Sequence, residues 1–290
     1  MTRRFRIATR GSALALRQTE LVRARLEVPT EVVVVATRGD LDQEAPIRAL
    51  GGTGMFVKEV QEAVLEGGAD LAVHSAKDLP PRPPAGLVLA AVPERGDPRD
   101  ALVGAKLRDL PTGARVATGS ARRRAQLAAA RPDLTFAELR GNLPTRLARA
   151  EAFAAVVVAA AALDRLRLAG RAAERLPPSV MLPQVGQGAI AVECRADDRE
   201  ARIALAAIDD PVAATAVAAE RAFLDELGGG CTLPCGALAE GGVLTGMLAS
   251  GDGRIVLRAT DRGTDPDDLG RRVARRLAEL GGAELLEGRR

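Results

Sequence analysis

The chain is almost without aromatic side chains. Its 290 residues include five Phe, no Trp and no Tyr. Recognition of nucleic acid by base stacking needs aromatic faces, so the composition argues against that class of function. The cores have to be built from Ala, Val and Leu. Histidine is nearly missing as well, with His74 standing alone. There are three cysteines, Cys194, Cys231 and Cys235. An odd, small number in a chain of this size is not a disulfide framework. Cys231 and Cys235 also lack the further Cys or His that would close a structural zinc site, so no metal is expected. Long apolar runs are absent. The longest uncharged one, Ala152 to Leu163, falls short of the roughly 20 residues that span a bilayer. Arg3, Arg4 and Arg6 are not followed by an apolar segment, so no secretory leader is expected. A soluble cytoplasmic monomer, bound to neither membrane nor nucleic acid, is the expectation.

Apolar residues make up 47% of the chain, enough for two or three domains. The net charge of +3 is unevenly placed. Between Arg115 and Arg149 eight arginines face only Asp133 and Glu138, a local balance of +6 that leaves −3 for the remainder. A local excess points to an anionic ligand more than to long nucleic acid.

Strand, helix and strand follow one another over Phe5–Thr9, Ala13–Glu27 and Glu31–Ala36, the last an apolar run of buried parallel type. A helix over Met55–Leu65, a strand over Asp70–His74 and another over Leu87–Val92 follow. Ser12 is positioned to cap the first helix. A second, similar unit has strands at Arg115–Thr118, Leu134–Leu139 and Ala155–Ala160, with a helix over Ala121–Ala130. Proline-bounded segments at 93–98 and 177–188 read as crossings, and Ala189–Cys194 reads as a strand that can return to the first unit. The expected fold is α/β: two hinged, periplasmic-binding-protein-like domains, 1–93 plus 189–206 and 98–182, with a small α+β domain over 211–290.

Four strand ends carry polar or basic residues: Thr9–Ser12, Ser75–Asp78, Thr118–Arg123 and Arg140–Asn142. Ligands of open parallel sheets sit at the carboxyl ends of strands. Helix N-termini there offer free N–H groups, and arginine grips carboxylates or phosphates in bidentate fashion. One arginine is an ordinary surface charge; the repeated placement points to a polyanion pocket. Asp78 is the odd acid in this set. It either pairs with Lys77 or caps its turn, or it faces the ligand to steady a cation or move a proton. His74 reads as structural and Cys194 as an inert core thiol. Gly228-Gly-Gly-Cys231-Thr-Leu-Pro-Cys235-Gly236 is a plain turn if taken alone, or a reachable thiol for covalent attachment.

Ile7-Ala-Thr-Arg-Gly-Ser-Ala-Leu-Ala-Leu16, Thr37-Arg-Gly-Asp40, Phe56-Val-Lys-Glu59, His74-Ser-Ala-Lys-Asp-Leu-Pro80, Leu139-Arg-Gly-Asn142, Pro183-Gln-Val-Gly-Gln-Gly-Ala189, Glu193-Cys-Arg195 and Gly229-Gly-Cys231 occur in this order. The set resembles the porphobilinogen deaminase (hydroxymethylbilane synthase) family from about residue 5 to residue 236. The resemblance implies a dipyrromethane cofactor held by Cys231 through a thioether. It implies stepwise addition of four porphobilinogen molecules with loss of ammonia, and release of a linear tetrapyrrole by water, in haem biosynthesis. Asp78 would stabilise the cationic azafulvene-like intermediate and assist proton transfer. Lys77, Ser120, Arg122, Arg123, Arg140 and Arg146 would hold cofactor and chain carboxylates. Arg10, Ser12, Gln18 and Arg165 would contact substrate, with Phe56 near the cofactor. Ala49 and Thr53 stand where the family shows lysines, with Arg48 as a substitute, and Cys235 replaces a usual aliphatic residue. The competing reading is a hinged, non-catalytic module for small anions, which has no use for Cys231 or Asp78.

Overall fold

A computed structural model describes residues 3–37, 57–229 and 233–287. Phe56, Cys231 and the loop 41–54 lie outside the described residues. The chain divides into two compact units, Met1–Gly96 with Gly188–Val217, and Asp97–Gln187 with Ala218–Arg290.

In the first unit a five-stranded sheet has the order β2-β1-β3-β10-β4. Its strands are β1 (Phe5–Arg10), β2 (Thr30–Val35), β3 (Leu71–Ser75), β4 (Leu87–Ala91) and β10 (Ile190–Arg195). β1 runs parallel to both β2 and β3, while β10 lies antiparallel between β3 and β4. Alternate side chains leave a strand on opposite faces, and the core follows that parity. Phe5, Ile7, Leu71, Val73 and Val192 meet Val22 of the helix Ala13–Arg23 and Leu205 of the helix Arg199–Ala206. Ala8 and Ala72 face the other way, onto Val60 and Val64 of the helix Lys58–Leu65. β2 departs from the expectation of a buried strand. It is the outermost strand among the described residues, and its Val34 is 58% exposed.

The second unit repeats the plan as β7-β6-β8-β5-β9. Here β5 is Asp100–Gly104, β6 Arg115–Ala117, β7 Thr135–Ala137, β8 Ala155–Ala159 and β9 Glu174–Arg175. β6 is parallel to β7 and β8, and β5 is antiparallel to β8. Parity again divides the core. Ala101, Val103, Val156 and Val158 pack with Leu143, Leu147 and Leu163. Leu102, Val116 and Val157 pack with Leu127 and Met181.

A three-stranded antiparallel sheet belongs to the same unit: β11 (Cys235–Glu240), β12 (Val243–Ala249) and β13 (Val256–Arg262). Leu238, Met247 and Ala249 of this sheet pack on Ala125 and Leu182. The helix Pro266–Leu277 crosses the helix Pro211–Glu226 at Gly270, where a Cβ would sit 2.3 Å from the Ala219 carbonyl oxygen. Among the described residues no helix is long and apolar enough to cross a membrane.

Candidate active site

In the first unit, the parallel neighbours β1 and β3 deliver their carboxyl ends to one edge of the sheet. Arg10 and Ser12 leave from the first, Lys77 and Asp78 from the second. Ser12 caps its helix, accepting a hydrogen bond from Ala15 N at 3.3 Å. After Ser75 the chain makes a 3-10 turn over Ala76–Asp78. Buried Ala76 and Leu79 anchor that turn, and the Ala76 N–H donates to Ala189 O at 3.1 Å. Lys77 and Asp78 are thereby held half-exposed on a fixed backbone.

Gln18 is 2% exposed, and its Nε2 donates to Ser75 Oγ at 2.8 Å. The residue expected on the substrate instead ties the first helix to the end of β3. One position back, His74 Nε2 lies 3.2 Å from Glu193 Oε2, which also accepts from Gln61 Nε2 at 2.8 Å. Both His74 and Glu193 are buried, so His74 belongs to the scaffold behind the turn.

In the second unit, three neighbouring parallel strands end together. β6 leads to Ser120 and the helix Ala121–Ala130, β7 to Arg140, and β8 to the helix Ala160–Arg165. Ser120 caps its helix, accepting from Arg123 N at 3.4 Å. Gly141 has φ +101°, and a Cβ there would meet Thr145 Cγ2 at 2.9 Å, so the turn between Arg140 and Asn142 requires glycine. Asn142 caps the next helix through Thr145 N at 3.0 Å, and Arg146 Nε donates to Gly141 O at 2.9 Å. These bonds fix the backbone that carries Arg140 and Arg146. Arg165 is half-buried, and desolvation lowers its guanidinium pKa to about 10.

Arg122 and Arg123 point inward. They are 3% and 6% exposed, and they converge on Asp100, which is fully buried at the start of β5. Arg122 Nη1 donates to Asp100 Oδ2 at 2.8 Å and to Leu182 O at 2.6 Å. Arg123 Nε donates to Asp100 Oδ1 at 2.9 Å, and its Nη1 to Val157 O at 3.0 Å. Gln187 Nε2 donates to the same Asp100 oxygen at 3.1 Å and to Pro98 O at 2.7 Å. Burial pushes the Asp100 carboxyl upward, but Arg122 and Arg123 outweigh it and hold the pKa at about 2. Arg122 Nε and Nη2 are buried donors without a hydrogen-bond partner among the described residues.

No local pattern in the sequence singles out Asp100 or Gln187. Asp100 closes the charged, proline-bounded run Asp97-Pro98-Arg99-Asp100, which resembles a linker. Gln187 belongs to the Pro183–Ala189 motif, which carried no assigned role. The available signal was an acid placed directly before the apolar run Ala101–Val103.

The fold is that of a two-unit α/β protein, with basic and polar groups at parallel strand ends in each unit. The comparisons with known proteins make this specific. The family model described as "Porphobilinogen deaminase, dipyromethane cofactor binding domain" matches residues 5–203, and its "C-terminal domain" matches residues 214–279. A porphobilinogen deaminase of Roseiflexus sp. (strain RS-1) is 50% identical over 97% of this chain and 98% of its own. One of Syntrophus aciditrophicus (strain SB) is 47% identical over 98% of each chain. The chain belongs to the porphobilinogen deaminase family. It is therefore a transferase of tetrapyrrole biosynthesis with a dipyrromethane cofactor, and the non-catalytic alternative is set aside. Among solved structures, an extracytoplasmic solute receptor of Bordetella pertussis matches at TM-score 0.40 and 13% identity over 71% of this chain and 77% of its own. That likeness is too slight to carry an argument.

Proposed function

We propose that Asp78 is the catalytic acid–base residue, that Cys231 is the thioether anchor, and that the strand-end arginines hold the carboxylates of cofactor and growing chain. The observation that carries this reading is the buried cluster of Arg122, Arg123 and Asp100. Two guanidiniums share one carboxylate there, which leaves a surplus positive charge away from water. An uncompensated buried charge is expensive, and two Arg122 donors have no acceptor among the described residues. A carboxylate-bearing group supplies both the charge and the lone pairs, so these residues fit a dipyrromethane. When bound, that group supplies the pyrrole carbon to which the first substrate is joined.

The division of labour among the chain's own residues follows from their placement. Arg122, Arg123, Arg140, Arg146 and Ser120 serve the second unit's strand edge. Lys77, Arg10 and Ser12 serve the first. Gln18 acts through Ser75, and Arg165, whose charge is partly desolvated, is assigned to a substrate carboxylate. Asp78 stands on its fixed turn as the acid of that set. Its carboxylate balances the positive charge left on the pyrrole when the aminomethyl carbon–nitrogen bond breaks and ammonia departs with the bonding pair. It then accepts the proton released when the new carbon–carbon bond restores the ring. Phe56 is assigned to the cofactor's neighbourhood. We place the reaction in the cytoplasm, in a monomer of three domains divided as the sequence suggests. The free, buried thiol of Cys194 suits a reducing compartment.

Intact mass is the test. The purified chain is expected to exceed its sequence mass by a dipyrrole, and Cys231→Ser to lose that excess together with activity. An active chain at its bare sequence mass would refute the tether.

A further inference from the structure

We propose that Asp100, held by Gln187, is a positioning residue that sets the direction and the charge of the arginine pair; the inference rests on the reading just given. Asp100 is fully buried and accepts from both Arg122 and Arg123. Each of its oxygens is used: Oδ2 by Arg122, and Oδ1 by Arg123 and by Gln187. A guanidinium is a planar fork, so fixing one Nη aims the others. With Arg122 Nη1 clamped between Asp100 and the Leu182 carbonyl, its Nε and Nη2 have a fixed orientation in which to meet an acceptor.

Gln187 completes the arrangement. Its amide reaches Pro98 O on the segment entering β5 and Asp100 on β5 itself. Gly186 and Gly188 on either side have φ of +71° and +88°, conformations that glycine alone adopts cheaply. The Gly186 N–H donates to Glu220 Oε2 at 2.7 Å. The Pro183–Ala189 motif is thus a backbone brace that presents one amide to one carboxylate. Replacing that neutral amide by an acid would cancel the surplus charge; removing the acid from Asp100 would double it.

A charge exchange across the 3.1 Å Gln187–Asp100 contact tests this. Asp100→Asn, Gln187→Glu and the double exchange are made in the full chain. The fraction carrying the dipyrrole mass, KM, kcat and Tm are measured for each. Asp100→Asn is expected to lower the loaded fraction about tenfold. Gln187→Glu is expected to lower it severalfold and to lower Tm, since it cancels the surplus charge but removes the donor to Pro98 O and sets a carboxylate against Asp100. The double exchange, which returns one carboxylate to the pair, is expected to recover loading to within about threefold of the parent. Where Asp100→Asn fails to fold, the contrast between Gln187→Glu and the double exchange carries the test alone. Variants that fold, load and bind like a loaded parent would overturn the role of Asp100 and leave the function intact. So would a double exchange that loads no better than Gln187→Glu. A parent without the adduct would overturn the tether reading and this inference with it.

Discussion

Asp78 and Asp100 differ in exposure, and the contrast suits the different tasks proposed for them. The first is half-exposed on a turn; the second is sealed among guanidiniums. Asp78→Asn removes the charge and the proton acceptor while keeping the shape. It is expected to leave Tm nearly unchanged and to lower kcat by about 10²–10⁴-fold, the usual share of general acid–base catalysis. Steady-state rates of product formation check this, and near-normal kcat excludes the role. Asp70 illustrates the structural use of the same side chain. It accepts from Arg6 N and Arg3 Nη2, both at 2.8 Å. Burial pushes its pKa upward, but the Arg6 and Arg3 hydrogen bonds prevail and lower it from 3.8 to about 2. A depressed folded value means stability that is fully present above the unfolded pKa. It is lost as pH falls from about 4 to about 2. That shift is worth about 2 kcal/mol. Asp70→Asn should lower urea stability at pH 7 by at least this amount and flatten the acid limb, as read by denaturant titrations at several pH values.

Elements show where local sequence speaks clearly and where it does not. The cap at Ser12 follows from residue type, and the strand ends carrying Arg10, Asp78 and Arg140 follow from apolar runs stopped by glycine or charge. β5 escapes notice although it lies inside the second sheet. Its first residue is Asp100, its last is Gly104, and the three apolar residues between them are too few to show a period. The helix Arg199–Ala206 is missed for a similar reason, because only Ala201 and Leu205 reach the core. The inward turn of Arg122 and Arg123 is not readable locally. It depends on Asp100, Val157 and Leu182, which are distant in sequence. Helix packing has its own concealed requirement at Gly270. Alanine there improves helix propensity by about 1 kcal/mol, yet its Cβ meets a backbone carbonyl at 2.3 Å. Gly270→Ala is therefore expected to lose about 1–3 kcal/mol on balance, visible as a drop in Tm.

At the scale of the whole molecule, the order of strands in space differs from their order along the chain. β10 is inserted between β3 and β4, yet it is encoded roughly a hundred residues after them. A fragment ending at Gly96 leaves β3 and β4 without the strand that joins them. It is expected to show little cooperative unfolding by circular dichroism, and adding a peptide over 188–217 should restore part of the transition. In the cell this becomes a matter of timing. At about 5–20 residues per second of synthesis, the open edges of β3 and β4 wait roughly 5–20 s for their partner while the second unit is still emerging. Slowed translation between residues 97 and 187 should lengthen that wait and raise the nascent chain's demand for chaperones.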